Sequence, residues 1–246
     1  VSLVAASLPM ALGIAGCIVL TGTDLSGGRV VGLTAAVAGA LLQDRTISRK
    51  LFSNLPAITP GWILLTILIV VAIGALIGMG NGFFVAKFSL HPFIVTLATQ
   101  LITYGLILIF FMLNGNNGQP VSGLSQEYKN VVSAPMLQFV TGSGAKISIP
   151  WYVLYAVIFV ALMWFIWNKT AFGKNMFAVG SNEEAARVSG VNVTMVIIGV
   201  FALAGVTYGY TGFIEAARMG ASTGTIGLNY ELDAIAACVI GGVSFV

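Results

Sequence analysis

Long apolar runs that carry no charged side chain alternate with short polar stretches along this chain. Asp, Glu, Lys and Arg are absent from residues 1–23, 30–43, 51–86, 88–126, 147–168, 188–214 and 234–246. A helix needs roughly 20 apolar residues to cross a bilayer core, and several of these runs reach that length. A membrane β-barrel would show period-two alternation instead, which we do not find in this sequence. The pattern therefore predicts a bundle of membrane-spanning helices.

The polar breaks divide the chain into apolar segments joined by loops. The segments are predicted near 3–22, 30–42, 61–85, 93–113, 151–167, 195–213 and from 232 onward, and the loops at 43–60, 114–150, 168–194 and 215–230. The second segment is too short to span a bilayer alone. Ser26-Gly27-Gly28 in front of it interrupts helical periodicity, and a broken helix at membrane depth is tolerated only inside protein or beside a cavity.

A repeated glycine marks one face of the third segment. Gly74, Gly78 and Gly82 recur every four residues, so they fall on the same side of a helix. Small residues at this spacing let two membrane helices approach closely. We therefore expect this face to pack against another helix.

The composition excludes a soluble globular protein. Hydrophobic residues make up 58% of the 246 residues and charged residues 8%, whereas soluble domains carry about 25% charged residues. The net charge of +3 is scattered, so no basic stripe for nucleic acid is expected. Cys17 and Cys238 lie far apart in apolar runs and are most simply packing residues, and the single His91 cannot build a histidine-rich metal site. No metal or cofactor is expected on this chain.

Both ends lie inside apolar sequence. The chain opens at Val1 and stops at Val246 within a stretch too short to cross a membrane. We therefore interpret residues 1–246 as one transmembrane domain that is truncated at both ends.

The strongest local motif is the polar stretch 181–190. Ser181 followed three residues later by Glu184 is a capping box, and Asn182 is an alternative N-cap one residue later. Glu183 and Glu184 favour the positive start of a helix, and Gly190 is a natural stop. The motif predicts a helix of about two turns between two membrane segments.

So short a helix is marginal in water and needs a surface to pack on. Ala185, Ala186 and Val188 give it a small, smooth face that suits a groove on a partner. A helix packed on lipid or on its own chain remains the alternative.

Four stretches together resemble the ribose/galactose-type ABC sugar permeases. They are 22–29 (GTDLSGGR), 81–82 with 92–97 (NG, PFIVTL), 168–193 and 230–245. The resemblance covers nearly the whole chain, and within that family it is strongest to the galactose/methyl-galactoside permeases. It implies an all-α, polytopic membrane bundle of the type II ABC importer kind in a bacterial inner membrane.

The resemblance also implies partners and an orientation that the loop charges leave open. Residues 168–194 would form a cytosolic coupling loop that docks on an ATPase subunit, which binds ATP and Mg. Loops 114–150 and 215–230 would face a periplasmic sugar-binding protein, and a second copy would complete the path. The coupling residues implied are Ser181, Asn182, Glu183, Glu184, Ala185, Ala186, Arg187, Ser189 and Gly190.

A second set of residues concerns the helix break and the sugar path. These candidates are Asp24, Ser26, Arg29, Asn81 and Thr96. An ionisable residue within a membrane is a functional hypothesis by default. Asp24 is expected to cap the second segment, to pair with Arg29 or to line the path.

Two further pairs of charged residues have simple structural explanations. Glu231 and Asp233 open the seventh segment, where negative charge favours a helix start. Glu215 and Arg218 are spaced to pair on the surface, with docking of a binding protein as the alternative.

The sequence does not indicate an enzyme. The glycine-rich stretch 142–146 lacks P-loop spacing, and no catalytic constellation is recognisable. The alternatives to an ATP-driven permease are a secondary transporter or channel, with Asp24 as its ion-coupling acid, and a structural scaffold.

Overall fold

The computed structural model describes residues 2–47, 50–52, 54–140 and 146–243. Residues 142–145 of the glycine-rich stretch and residues 244–246 lie outside this range. Within it the helices are α1 Ser2–Val19, α2 Gly27–Leu41, α3 Pro60–Phe88, α4 Pro92–Met112, α5 Gln126–Ser133, α6 Trp151–Lys169, α7 Ala171–Ser181, α8 Glu183–Val188, α9 Val193–Met219 and α10 Tyr230–Ile240. The strands are β1 Val121–Ser122, β2 Pro135–Val140, β3 Lys146–Pro150 and β4 Ala221–Ser222.

The predicted membrane bundle is confirmed. In the described part of the chain, α3, α4 with the 3-10 turn that follows it, α6 and α9 are long and apolar enough to cross a membrane. α1 and α2 are apolar but shorter. Many large apolar side chains on α3, α4 and α6 are exposed, which suits helices surrounded by lipid or by further membrane protein.

The glycine face of α3 packs on α9 as the sequence predicts. A Cβ atom on Gly74 would collide with the carbonyl oxygen of Gly205, and one on Gly78 would collide with that of Phe201. A Cβ on Gly82 would lie 2.7 Å from the Cα of Ile198. The two backbones are therefore in direct contact along about two turns.

The stretch 114–150, predicted as an exposed loop, contains ordered elements. α5 packs on α6 and α9, β2 and β3 form an antiparallel hairpin, and β1 pairs with β4. Tyr128 and Val132 are buried on one face of α5, and the Tyr128 hydroxyl donates to the carbonyl of Phe213. Ser125 caps α5 by accepting a hydrogen bond from the Tyr128 amide.

Two other polar stretches are also more helical than expected. α9 runs to Met219 and ends at Gly220, whose φ of +68° suits a glycine. Glu215 and Arg218 do pair, at 2.7 Å, but Glu215 is only 2% exposed, so the predicted surface location is wrong. Within 168–194, α7 precedes the predicted short helix α8.

Candidate translocation and coupling sites

The chain breaks its helical path between α1 and α2. At the end of α1, the amide of Thr21 donates to the carbonyl of Ile18 and the amide of Gly22 to that of Cys17. This is a Schellman ending, and it places the β-branched Thr21 at a φ of 58°. A Cβ on Gly22 would lie 2.8 Å from Pro92, so α4 begins directly against the break.

A buried hydrogen-bond network holds the break. Asp24 Oδ1 accepts from the amide of Ser26 at 2.9 Å and from its hydroxyl at 2.6 Å. Asp24 Oδ2 accepts from the hydroxyl of Tyr208 on α9 at 3.1 Å. These bonds give a fully buried carboxylate the polar partners that offset its loss of water.

The network continues into α3 and α4. Asn81 Nδ2 donates to the Ser26 hydroxyl at 3.0 Å, and the Thr99 hydroxyl donates to Asn81 Oδ1 at 2.6 Å. The amide of Leu25 donates to the Thr96 hydroxyl at 3.1 Å. Three helices, α3, α4 and α9, therefore share one polar network around residues 23–26, as irregular backbone within a membrane requires.

The structure brings four of the five predicted break or path residues together. Asp24, Ser26, Asn81 and Thr96 are at most 2% exposed. Arg29 lies apart from them and donates to the carbonyl of Gly224 at 3.4 Å. Asp24 thus fixes a turn before α2, but the N-cap of α2 is Ser26, so the predicted cap by Asp24 is wrong. The alternative ion pair with Arg29 does not occur in the described structure either.

A second irregular segment, 220–229, enters the bundle beside α2. Ser222 donates to the carbonyl of Ala35 at 2.7 Å. An added Cβ atom would collide with this segment at three glycines of α2. The collisions are of Gly39 with Ser222, of Gly32 with Ile226 and of Gly28 with Gly227. This second run of non-helical backbone therefore reaches the start of α2, next to the first break.

Glu231, which the sequence predicts only as part of a helix start, also contacts α4. It does lie in the first turn of α10, as does Asp233, so that prediction is confirmed. Glu231 is nevertheless 3% exposed, and its Oε1 accepts from Gln100 on α4 at 3.0 Å. The polar Gln100 in the middle of an apolar segment was the available signal.

The predicted short helix α8 forms, with Asn182 as its N-cap. Asn182 Oδ1 accepts from the amide of Ala185 at 2.9 Å. The capping box from Ser181 is wrong, because α7 continues to Ser181 and the Asn182 amide still bonds to the carbonyl of Ala178. Glu183 and Glu184 occupy the first turn as expected.

The end of α8 matches the predicted glycine stop. Gly190 has a φ of +84°, its amide donates to the carbonyl of Arg187, and the amide of Val191 donates to that of Ala186. The Ser189 hydroxyl adds a bond to the carbonyl of Ala185 at 2.8 Å. Both ends of this short helix are thereby closed by specific hydrogen bonds.

The predicted docking face of α8 is only partly free. Ala186 is 5% exposed and packs inward, whereas Val188 is 90% exposed. Glu184 and Ala185 are also exposed. Glu183 and Arg187 form an exposed pair at 2.6 Å on the same helix. The outward surface is therefore an apolar valine beside an acidic first turn.

α7 connects this surface to the break. A Cβ on Gly180 would collide with the carbonyl oxygen of Val19, the last residue of α1. A cavity of about 320 Å³ separates Glu183 and Arg187 from the 20–21 turn and from Leu90 and His91. Within the described residues, no cluster of three or more His, Cys, Asp or Glu side chains could hold a metal ion.

Comparisons with known proteins agree with this architecture. The chain is 47% identical over 236 residues to the galactose/methyl galactoside import permease protein of Salmonella typhimurium, which covers 96% of this chain and 67% of the relative. It is 42% identical to the protein of that name in Haemophilus influenzae, over 97% of this chain and 68% of the relative. It is 33% identical to the ribose import permease protein of Escherichia coli, over 96% of this chain and 65% of the relative.

No solved structure matches this chain significantly. The family model described as branched-chain amino acid transport system / permease component matches residues 2–246. The chain therefore belongs to this family of membrane permease components.

Proposed function

We propose that this chain is the membrane subunit of an ATP-driven ABC importer for a monosaccharide such as galactose or a methyl galactoside. The chemical identity of the cargo comes from the relatives, which share up to 47% identity with it. A periplasmic binding protein delivers the sugar, and separate ATPase subunits bind ATP and Mg. The chain itself carries no cofactor in this proposal.

The observation that carries the proposal is α8. Six residues form a helix that is capped at both ends and exposed on the side away from the bundle. An isolated helix of this length is unstable in water, so its caps and its buried Ala186 preserve a defined surface. Residues 168–194 act as the cytosolic coupling loop that docks on the ATPase.

Contacts from α8 lead directly to the helix break. α8 follows α7 at Asn182, and α7 touches the end of α1 through Gly180 and Val19. The 20–26 segment then leads into α2. When the ATPase moves α8, this chain of contacts shifts the start of α2, where alternating access requires a change.

A second copy of the chain completes the path. α4 carries polar Gln100 and Tyr104 halfway along its apolar length, and Tyr104 is 40% exposed. Contact between polar side chains and the lipid chains at mid-membrane is unfavourable. Two copies facing one another would place this side of α4 toward water and protein.

Co-purification of the full-length permease with its ATPase tests the coupling surface. Val188→Asp combined with Glu184→Lys should abolish association with the ATPase and ATP-driven sugar uptake in proteoliposomes. Glu127→Lys on α5 repeats only the Glu→Lys replacement at another exposed site and should retain the ATPase. Normal association in the double variant would remove α8 from the mechanism.

A further inference from the structure

A group of polar side chains surrounds the place where the two irregular segments meet. Arg29 lies with its guanidinium carbon 4.4 Å from the centre of the Tyr104 ring and donates to the carbonyl of Gly224. Gln100, one turn before Tyr104 on α4, donates to Glu231 at the start of α10. The group is therefore assembled from α2, α4, α10 and the 220–229 segment.

Placing polar and ionisable side chains at the depth of this group costs free energy. Gln100 and Tyr104 flank the centre of α4, which runs from Pro92 to Met112. Arg29 and Glu231 are thus placed level with the middle of a membrane-spanning helix. Ionisable residues at that depth face a protein interior or a water-filled passage. Arg29, Gln100 and Tyr104 are partly or fully exposed in this chain. The exposed side of the group must therefore face protein or water and not lipid.

Glu231 has an unused hydrogen-bonding capacity. Its Oε1 accepts from Gln100, but its buried Oε2 has no hydrogen-bond partner. The side chain lies against Gly28, where any Cβ would collide with Oε2. A buried carboxylate oxygen without a donor is costly, and the other oxygen of the same carboxylate is bonded to Gln100, which is partly exposed.

We infer that Arg29, Gln100, Tyr104 and Glu231 line the sugar path at mid-membrane, with the Glu231 carboxylate accepting hydrogen bonds from sugar hydroxyl groups. The inference rests on the proposed sugar-import function. A sugar hydroxyl supplies the donor that Oε2 lacks. The partly exposed Tyr104 ring offers the sugar ring the face that Arg29 does not cover, and Arg29 and Gln100 supply further donors. This assigns contact with the sugar to the α4–α10 side of the break, whereas the buried Asp24 network holds its geometry.

Cysteine labelling in the complete transporter tests whether this side is a water-filled path. Gln100→Cys should react with a charged, membrane-impermeant methanethiosulfonate reagent. Ile102→Cys is the matched control, because two residues along a helix turn it by about 200° and Ile102 is 64% exposed at the same depth. We expect no labelling there above the background of the parent transporter, in which Cys17 and Cys238 are buried. Equal reaction at both positions, or none at Gln100→Cys, would overturn the inference.

Transport by Glu231→Gln tests the role of the carboxylate. Proteoliposomes containing the full-length permease, its ATPase and its binding protein are assayed for radiolabelled galactose uptake and for ATP hydrolysis. We expect uptake to fall by about tenfold or more, since hydrogen bonds to a charged group contribute more than neutral ones. Stimulated ATP hydrolysis should stay within about twofold. Asp233→Asn, an exposed acid in the same turn, should leave both unchanged.

The two proposals fail in distinguishable ways. If the wild-type complex neither hydrolyses ATP nor imports sugar, the proposed function is wrong. If the wild type imports galactose and Glu231→Gln does so equally well, only the path assignment is wrong. A parallel loss of uptake, ATP hydrolysis and assembly in Glu231→Gln would show a structural role and would also overturn the assignment.

Discussion

Tyr208 on α9 donates a hydrogen bond to Asp24, 184 residues away in the chain, across 3.1 Å. Both side chains are buried, and the bond ties the break before α2 to the long helix α9, which follows α8. The position of this break is therefore determined by tertiary contacts as well as by its local Ser-Gly-Gly sequence.

Removing the Tyr208 hydroxyl should loosen the break. Tyr208→Phe takes one donor from a buried carboxylate that keeps its two bonds from Ser26, so we expect a loss of about 1–3 kcal/mol in stability. Asp24→Ala should cost more, because it leaves three donors without their acceptor. Thermal unfolding of the purified protein in detergent measures both. Tyr210→Phe keeps its ring stacked on Phe159 at 5.0 Å and should change little; equal losses at Tyr208 and Tyr210 would contradict the network's importance.

The contact between α3 and α9 gives a second prediction. Gly78→Ala should destabilise the fold by about 1–3 kcal/mol, because its Cβ would collide with the Phe201 carbonyl, which cannot rotate away. Gly80→Ala is the control on the same helix, since a Cβ there meets nothing within 4 Å. Alanine also favours a helix over glycine by about 1 kcal/mol. Monodispersity on size-exclusion chromatography and the thermal midpoint should fall for Gly78→Ala and hold or rise for Gly80→Ala.

The N-cap assignment of α8 is testable because two adjacent residues compete for it. Asn182→Ala removes the acceptor for the Ala185 amide and should destabilise α8 by about 1 kcal/mol. Amide hydrogen exchange in residues 185–188 should then become several-fold faster. Ser181→Ala should have no comparable effect on those amides. Faster exchange in Ser181→Ala than in Asn182→Ala would restore the capping box.

Thr21 predicts a stabilising substitution. A β-branched residue at a φ of 58° carries steric strain of about 1–2 kcal/mol. Thr21→Gly relieves this strain and should raise the thermal midpoint, although added freedom in the unfolded chain offsets part of the gain. Thr23→Gly, two residues later at a position outside the left-handed region, should lower the midpoint. A decrease in both variants would show that Thr21 is not strained.

Charged and polar residues that interrupt apolar runs were the informative part of the sequence. Asp24 and Ser26 stand out beside a glycine pair, and the structure shows them bonded to each other. Tyr208 and Thr99 join the same network but resemble ordinary residues of an apolar helix. Their roles depend on which helix faces are packed together, and local sequence does not specify that packing.

Helix boundaries near polar residues were less predictable. Ser181 and Asn182 are both good caps, and the choice is made by α7, whose hydrogen bonds extend to the Asn182 amide. Glu215 and Arg218 were assigned to a loop because they are charged, but their mutual pairing lets α9 carry them to Met219. In both cases a neighbouring interaction outweighed the local preference.

The glycine contacts between α3 and α9 also restrict how the bundle can move. Because backbone touches backbone at Gly74 and Gly78, sliding either helix along the other would drive side chains of the next turn into a carbonyl. The two helices therefore behave as one rigid unit across the membrane. A conformational change that preserves the contacts at Gly74 and Gly78 must move α3 and α9 together.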